Sequence, residues 1–246
     1  MYVDKSLWQK TYDKEFLPLW PCSRCGIGHL HLIEDTFRII EPYHVELDRT
    51  FLHEINEIDA RRFCGMLSCT YTPCKDIVSF YGNTSLYLVI EEDGKSFDSE
   101  SLEIQGMFPA PDIFKISDKV PKNISKEMRK AFRLYWVDNE ACANKIRNIA
   151  ERILDWLNVP KEVINDNGKP SKTLNARIKF YSKNDSENAD LLDALREIGN
   201  VGSHGQTVYW STLLDSFDVS AYVFEELFLN KKEQIKKIRD RILMFC

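Results

Sequence analysis

The sequence lacks three features, each of which would assign it to a distinct class of protein. It has no apolar run long enough to cross a bilayer, its charged start MYVDKSLWQKTYDKEF has no signal-peptide apolar stretch, and no internal repeat or low-complexity tract stands out. Its formal net charge of -5 argues against a strongly basic nucleic-acid-binding protein, although a local basic cleft stays compatible with it. We therefore expect a folded protein of the cytoplasm that does not contact a membrane.

The spacing of apolar residues along the chain changes near Met107–Pro111. Before this segment, short apolar stretches at residues 30–33, 76–82 and 85–94 end in glycine or acidic turns and predict strands. Residues 40–62 are polar and resemble an insertion with a short helix carrying Leu52, Ile55 and Ile58. After the segment, apolar residues recur with the period of a helix. The sequence predicts an α+β protein with a β-rich, zinc-ribbon-like domain over residues 1–108 and an all-α bundle over 109–246.

Six helices are predicted in the second domain. The first carries Ile124, Met128, Phe132 and Trp136, and Asp138 caps a second helix that ends before Pro160. Ser171 and Ser186 are the predicted caps of the third and fourth helices, and the fifth covers about 211–229 before a charged last helix. The predicted apolar stripe of the fourth helix precedes two glycines that are expected to loosen it: Leu191, Leu195 and Ile198, then Gly199 and Gly202.

The chain has seven cysteines, and their spacing predicts a metal site. Without an export signal, cysteines favour metal binding or free thiols over disulfides. Cys22 and Cys25 form a CxxC pair, and Cys69 and Cys74 form a CxxxxC pair with Pro73 in its turn. Two such pairs provide the four tetrahedral ligands that structural zinc takes, with no coordination position open for catalysis. Cys64, His29 and His31 remain alternative ligands.

Two other interpretations of these cysteines stay open. They are small apolar residues of a core, or Cys22 and Cys25 form a redox pair. A thioredoxin-like CxxC follows a strand and opens a helix, which the residues around Cys22 do not predict. The zinc interpretation is therefore preferred.

Polar residues of the helical half suggest phosphodiester chemistry. Arg196, Asn200 and His204 follow one another at four-residue intervals, and Arg147 and Glu151 have the same spacing on the second helix. Histidine transfers protons near neutral pH, and arginine holds a phosphate through two hydrogen bonds. The alternative is a solvated histidine in a glycine-rich turn and a surface ion pair between Arg147 and Glu151.

Several segments, in this order, resemble the bacterial family called domain of unknown function 4145. In that family a cysteine-rich zinc ribbon precedes a helical domain with an R-x-x-x-E helix and a G-N-x-x-x-H motif, and the resemblance covers nearly the whole chain. The segments that carry it are PLWPCSRCGIGHL, RFCGMLSCTYTPCKDIVSFYG, KIRNIAERIL and ALREIGNVGSHG.

The helical domain is similar to the HEPN superfamily, whose members are often dimeric, metal-independent ribonucleases of phage defence, toxin and restriction systems. The resemblance implies that a ribose 2′-hydroxyl attacks the adjacent phosphate, with His204 as general acid or base, Asn200 as a positioning donor and an arginine as the phosphate clamp. The family motif, frequently RNxxxH, has arginine where this chain has Gly199. Arg196 or Arg147 would have to replace that arginine in space.

Two further functions are weighed against a nuclease. One is a non-catalytic adaptor that binds nucleic acid or a restriction or anti-phage protein, which Gly199 and the acidic net charge support. The other is an interaction module whose last helix docks a partner or a second copy of the chain through its basic and apolar residues. These residues are Lys231, Lys232, Lys236, Lys237, Arg239 and Arg241, with Ile235, Ile238 and Ile242.

Overall fold

The computed structural model describes residues 3–13, 15–43, 61–90, 96–203, 206–229 and 231–244. The chain divides into two compact units, one of Asp4–Asp112 and one of Met1–Val3 with Ile113–Cys246. The predicted α+β organisation is confirmed. Residues 109–112 lie in the sheet unit, whereas the sequence places them with the helices. Two predicted features lie outside the described residues: the helix with Leu52, Ile55 and Ile58, and His204.

The first unit is built on a six-stranded antiparallel sheet. Its strands are β1 (Thr11–Asp13), β2 (Leu30–Leu32), β3 (Arg38–Ile40), β4 (Arg62–Cys69), β5 (Ile77–Ile90) and β6 (Ser96–Phe108). They lie in the order β1-β6-β5-β4-β2, and β3 also pairs with β4. Residues 76–82 and 85–94, which the sequence predicts as two strands, contribute instead to the single strand β5.

Strand β4 shows why the sheet has a buried face. Along it, exposed or half-buried residues alternate with buried ones, as a strand with one covered face requires. Phe63 of β4 and Phe80 of β5 are both buried, and their ring centroids lie 5.6 Å apart. Phe37 stacks on Phe80 at 6.1 Å. An aromatic cluster therefore forms part of the core of the sheet unit.

The second unit contains six helices within the residues that the structure describes. No helix among these residues is both long and apolar enough to cross a membrane. A short hairpin of β7 (Val163–Ile164) and β8 (Pro170–Ser171) follows the second helix. The helices are α1 (Lys122–Val137), α2 (Asn139–Trp156), α3 (Leu174–Tyr181), α4 (Ser186–Ser203), α5 (Trp210–Leu229) and α6 (Lys231–Leu243).

The first two helices confirm the sequence prediction closely. The predicted stripe of α1 is buried, and Asp138 caps α2 by accepting a hydrogen bond from the Ala141 N–H at 2.8 Å. The cap of α3 is Thr173, which accepts from the Ala176 N–H, and not Ser171, which lies in β8. Asp185, and not Ser186, accepts from the Asn188 N–H at the start of α4.

Helix α4 differs from its prediction in two ways. It buries Leu192 and Leu195, whereas Leu191 and Ile198 are only half-buried. It also continues through Gly199 and Gly202 to Ser203, although the sequence predicts that the glycines loosen it. Both glycines lie close to α2, so their small size serves the packing of two helices and does not end one.

A buried carboxylate joins α1 to α2. The two oxygens of Glu127 accept hydrogen bonds from Lys130 Nζ and Lys145 Nζ, each at 2.9 Å, and Lys145 belongs to α2. The hydrogen bond from Lys130, followed by that from Lys145, lowers the pKa of Glu127 to about 2 despite its burial. The charged form of Glu127 therefore stabilises the packing of α1 on α2.

We expect Glu127→Gln to destabilise the protein by about 1–3 kcal/mol at pH 7. Because the folded-state pKa lies below the ordinary 4.5, this contribution is complete above about pH 5 and is lost as the pH falls from 4.5 towards 2. Urea unfolding followed by the helical far-UV signal at several pH values measures the difference from the wild type. Glu162→Gln, which removes an exposed ion pair with Lys172, is the control and changes little. A loss that is independent of pH would contradict the charge-based account.

Candidate metal centre and polar residues of the helical unit

Cys22 and Cys25 lie in a tight turn before β2. The Cys22 N–H donates to the Gly28 carbonyl at 2.9 Å, and the Gly26 N–H donates to the Cys22 carbonyl at 2.8 Å. Gly26 has a φ of +64°, a left-handed conformation that glycine adopts without steric cost. This backbone geometry turns the chain back on itself between Cys22 and Gly28.

Cys69 and Cys74 lie in the turn that joins β4 to β5. Cys69 is the last residue of β4, and its N–H donates to the Asp76 carbonyl at 2.9 Å. The Cys74 N–H donates to the Tyr71 carbonyl at 2.8 Å, and Lys75 follows with a φ of +48°. Each pair of cysteines is thus followed by one residue in the left-handed conformation.

The pairing of β2 with β4 brings the two turns together. In this register Leu30 lies opposite Cys69, and the Thr70 N–H donates to the His29 carbonyl at 2.8 Å. The ligand atoms of the four cysteines all lie within 4.8 Å of one another. The four residues that the sequence predicts as a metal site are therefore the four that the fold clusters.

The distances between the sulfur atoms suit a tetrahedral ion. Cys22 Sγ lies 3.8 Å from Cys74 Sγ, and Cys25 Sγ lies 3.7 Å from Cys69 Sγ. A tetrahedron with Zn–S bonds of about 2.3 Å has S···S edges of about 3.8 Å. A disulfide requires about 2.05 Å, and all four cysteines are free thiols. The cluster thus has the size of a four-thiolate metal site.

The alternative ligands do not join this cluster. His29, His31 and Cys64 are exposed, and Cys64 lies on β4 opposite Arg38 and Tyr81. Within the part of the chain that the structure describes, the four clustered cysteines form the one group able to hold a metal ion. The choice that the spacing leaves open is resolved by the strand register.

The surroundings of Cys25, Cys69 and Cys74 shift the pKa values of these thiols in different directions. The N–H groups of Gly28 and Ile27 lower the pKa of Cys25 to about 6, whereas burial raises the pKa of Cys69 to about 12 and also raises that of Cys74. Four adjacent thiolates repel one another, so a bound divalent cation is needed to hold them deprotonated together. The site therefore favours a metal that binds sulfur.

Gly28 is the contact point of the two turns, and nothing in the cysteine spacing indicates it. A Cβ atom at this position would lie 2.6 Å from Cys69 Sγ and 2.8 Å from the backbone nitrogen of Tyr71. Contacts this short require one turn to move away from the other. The absence of a side chain at Gly28 therefore permits the cluster to close.

In the helical unit, Arg196 is held by two carboxylates. Its Nε donates to Asp193 Oδ1 at 2.6 Å, and its Nη2 donates to Glu197. These contacts, first that with Asp193, raise its pKa. Asn200 Nδ2 also donates to Glu197, at 3.2 Å. Asp193 lies three residues before Arg196 and Glu197 three residues before Asn200, a spacing that brings side chains together on one face of a helix, although neither carboxylate is predicted as part of the site.

Arg147 occupies the space next to Gly199. A Cβ atom at Gly199 would lie 2.3 Å from Arg147 Cβ and 2.9 Å from Arg147 Cδ. Its guanidinium lies 3.7 Å from Glu151, a half-exposed ion pair. The Arg147 Nε atom is buried and donates to no group in the described part of the chain. The structure thus places Arg147 beside the residue that precedes Asn200.

Comparisons with known proteins divide the chain in the same two parts. Residues 129–241 match the family model of a domain of unknown function, DUF4145. Residues 10–105 match the model of a different domain of unknown function, DUF8608. The resemblance to DUF4145 is confirmed for the helical part, whereas its extension over nearly the whole chain is wrong, because the sheet part matches the second model. No curated protein and no solved structure matches.

We expect Gly28→Ala to weaken metal binding by more than about tenfold, because the added methyl group displaces Cys69 from the cluster. Competition with a chromophoric chelator measures the affinity. Gly26→Ala is the matched control: its left-handed φ costs about 1–2 kcal/mol, but nothing lies within 4 Å of the added atom. Equal affinities of the two variants would contradict the role assigned to Gly28.

Proposed function

We propose that this protein is a zinc-stabilised, HEPN-like endoribonuclease that needs no metal for catalysis and acts as a dimer in prokaryotic defence or as a toxin. The observation that carries the proposal is the position of Arg147, whose side chain fills the space beside Gly199, the residue that precedes Asn200. An arginine from α2 would thereby replace the arginine of the RNxxxH motif on α4. Residues 129–241 match DUF4145, and the HEPN-like character of this unit rests on the resemblance of its helical motifs to that superfamily.

Zinc is the metal that best fits the four thiols. Thiolates are soft ligands that select zinc over magnesium or calcium. The S···S distances of 3.7 and 3.8 Å match the distance between two sulfur ligands of a tetrahedral zinc ion. Four protein ligands leave no position for water or substrate, so the ion would be structural. Its binding energy then contributes directly to folding of the sheet unit.

We expect the purified chain to contain one zinc ion, and its removal by a strong chelator to unfold the sheet unit and leave the helical signal largely intact. Two of the five tryptophans, Trp8 and Trp20, are buried in the sheet unit, and Trp20 lies two residues before Cys22, so a change in tryptophan fluorescence reports the loss. Loss of a residue that only hydrogen-bonds to a metal ligand typically lowers metal affinity about 10–100-fold. Cys22→Ser and Cys69→Ser each remove a ligand, so each should reduce zinc affinity by more than this. Cys64→Ser, at an exposed cysteine, is the control. Full zinc content in Cys69→Ser would contradict the proposal.

Arg147 is the better candidate for a phosphate clamp than Arg196. Arg196 is already neutralised by Asp193 and Glu197, and an incoming phosphate would have to displace both. Arg147 has one long, half-exposed ion pair with Glu151, a type of contact that contributes little stability. Its buried Nε is also a donor in need of an acceptor.

In the proposed reaction, a ribose 2′-hydroxyl attacks the adjacent phosphorus, and the bond to the 5′ oxygen of the next nucleotide breaks. The products are a 2′,3′-cyclic phosphate and a 5′-hydroxyl. Arg147 would hold a non-bridging oxygen and Asn200 would orient the phosphate. His204 would take the proton from the 2′-hydroxyl or give one to the leaving oxygen, and the second protomer of a dimer would supply the matching group.

We expect total RNA or tRNA incubated with the protein in EDTA to give fragments ending in a cyclic phosphate. Arg147→Gln and His204→Ala should each lower the rate by about 10²–10⁴-fold. Arg196→Gln should have a much smaller effect, and Arg152→Gln, an exposed arginine of the same helix as Arg147, is the control. Cleavage that survives Arg147→Gln but not Arg196→Gln would reverse the assignment.

A non-catalytic adaptor is the second candidate. It is favoured by the ion pairs of the two arginines, since Arg147 pairs with Glu151 and Arg196 pairs with two carboxylates. Both arginines would have to leave these carboxylates to hold a phosphate. An adaptor would retain RNA, or a restriction or defence protein, without cutting RNA. Intact RNA with the wild-type protein, combined with measurable binding, would identify it. Light scattering on the same sample tests the expected dimer.

A further inference from the structure

Helix α6 exposes a regular series of isoleucines. Ile235, Ile238 and Ile242 leave 64%, 42% and 58% of their surface to solvent. Their spacing, i, i+3 and i+7, is the a, d, a pattern of a heptad repeat. Large aliphatic residues in this arrangement are normally covered by another helix.

The width of this series restricts what can cover it. At the rotation of a helix, the three isoleucines lie within about 60° of its circumference. A helix that faces a protein core shows an apolar stripe wider than about 100°, and one that lies on a membrane buries a broad apolar face. Leu243, the last residue of the helix, is also exposed, but it lies about 80° around the helix from Ile235, on the other side of Arg239. The uninterrupted apolar stripe is therefore narrow, which is typical of the seam between two paired helices.

The residues beside the seam carry positive charge. Arg239 follows Ile238 at position e, Arg241 precedes Ile242 at position g, and both are exposed. Arg239 also contacts Asp240 at 2.6 Å, but such an exposed pair contributes little. Positions e and g decide which partner a coiled-coil helix accepts, because they face the e and g positions of the partner.

These charges argue against a second copy of α6. Two antiparallel copies would bring Arg239 beside Arg239 and Arg241 beside Arg241 of the other copy, and like charges there disfavour pairing. In a parallel pair, Arg239 would face Gln234 of the other copy, which offers no carboxylate. The segment Lys231–Leu243 carries six basic and two acidic residues, a net charge of +4. A partner with carboxylates in the flanking positions relieves this repulsion.

We propose that α6 is a docking site for an amphipathic helix of another protein, whose apolar a and d residues pack on Ile235, Ile238 and Ile242 and whose flanking positions carry Glu or Asp. The proposal is independent of RNA cleavage, because it uses none of the residues assigned to that reaction. It gives the last helix a separate role, that of selecting a partner by charge.

The test uses two designed 21-residue helical peptides with leucine at a and d, one with glutamate and one with lysine at e and g. The full-length protein should bind the glutamate peptide at least tenfold more tightly than the lysine peptide in fluorescence anisotropy, with a preference that declines in high salt. The double variant Arg239→Glu, Arg241→Glu should prefer the lysine peptide. Ile238→Asp should lose binding to both.

The controls keep the test decisive. Lys236→Glu changes a charge at position b, away from the seam, and should keep the preference for the glutamate peptide. Circular dichroism verifies that each variant is folded. The proposal is overturned if neither peptide binds or if the double variant keeps the wild-type preference. It is also overturned if the isoleucines bind a second copy of the chain or a membrane, which would appear as self-association, or as binding to phosphatidylglycerol vesicles, that Ile238→Asp abolishes.

Discussion

The register of β2 on β4 is the constraint on which the sheet unit depends. It places Leu30 opposite Cys69, so that two turns from distant parts of the sequence present four thiols to one point. The cluster is polar and partly buried, and it begins two residues after Trp20, which is fully buried. A strand pairing that ends in four adjacent sulfur atoms is stable when a cation neutralises them, and a metal ion would fix the register in return.

The helical unit depends on a different constraint, the close approach of α4 to α2. Gly199 would contact Arg147, and Gly202 would contact the carbonyl of Glu140 at 2.9 Å, if either carried a side chain. The same approach that requires glycine at position 199 brings Arg147 of α2 beside it. Packing and the proposed chemistry are therefore linked, because the residue that allows the helices to meet also makes room for the arginine.

The sequence predicted those elements whose signals are local. The stripe and cap at the start of the helical unit follow from periodicity and from Asp138. The sequence predicts two strands within β5 because Gly82 resembles the end of the first one. In the fold the register with β6 shifts between Tyr81 and Gly82, and a Cβ at Gly82 would lie 1.9 Å from the Glu103 carbonyl. A glycine required by a distant strand cannot be distinguished locally from a turn glycine.

The candidate metal site was predictable as a set of residues, since two cysteine pairs suggest it, whereas the exclusion of His29, His31 and Cys64 needed the strand pairing. The proposed zinc site requires Cys22, Cys25, Cys69 and Cys74 to bind one ion together, and X-ray absorption at the zinc edge of the purified protein counts the ligands of that ion. We expect four sulfur neighbours at about 2.3 Å. A nitrogen or oxygen neighbour in place of any sulfur, or a protein without zinc, would contradict it.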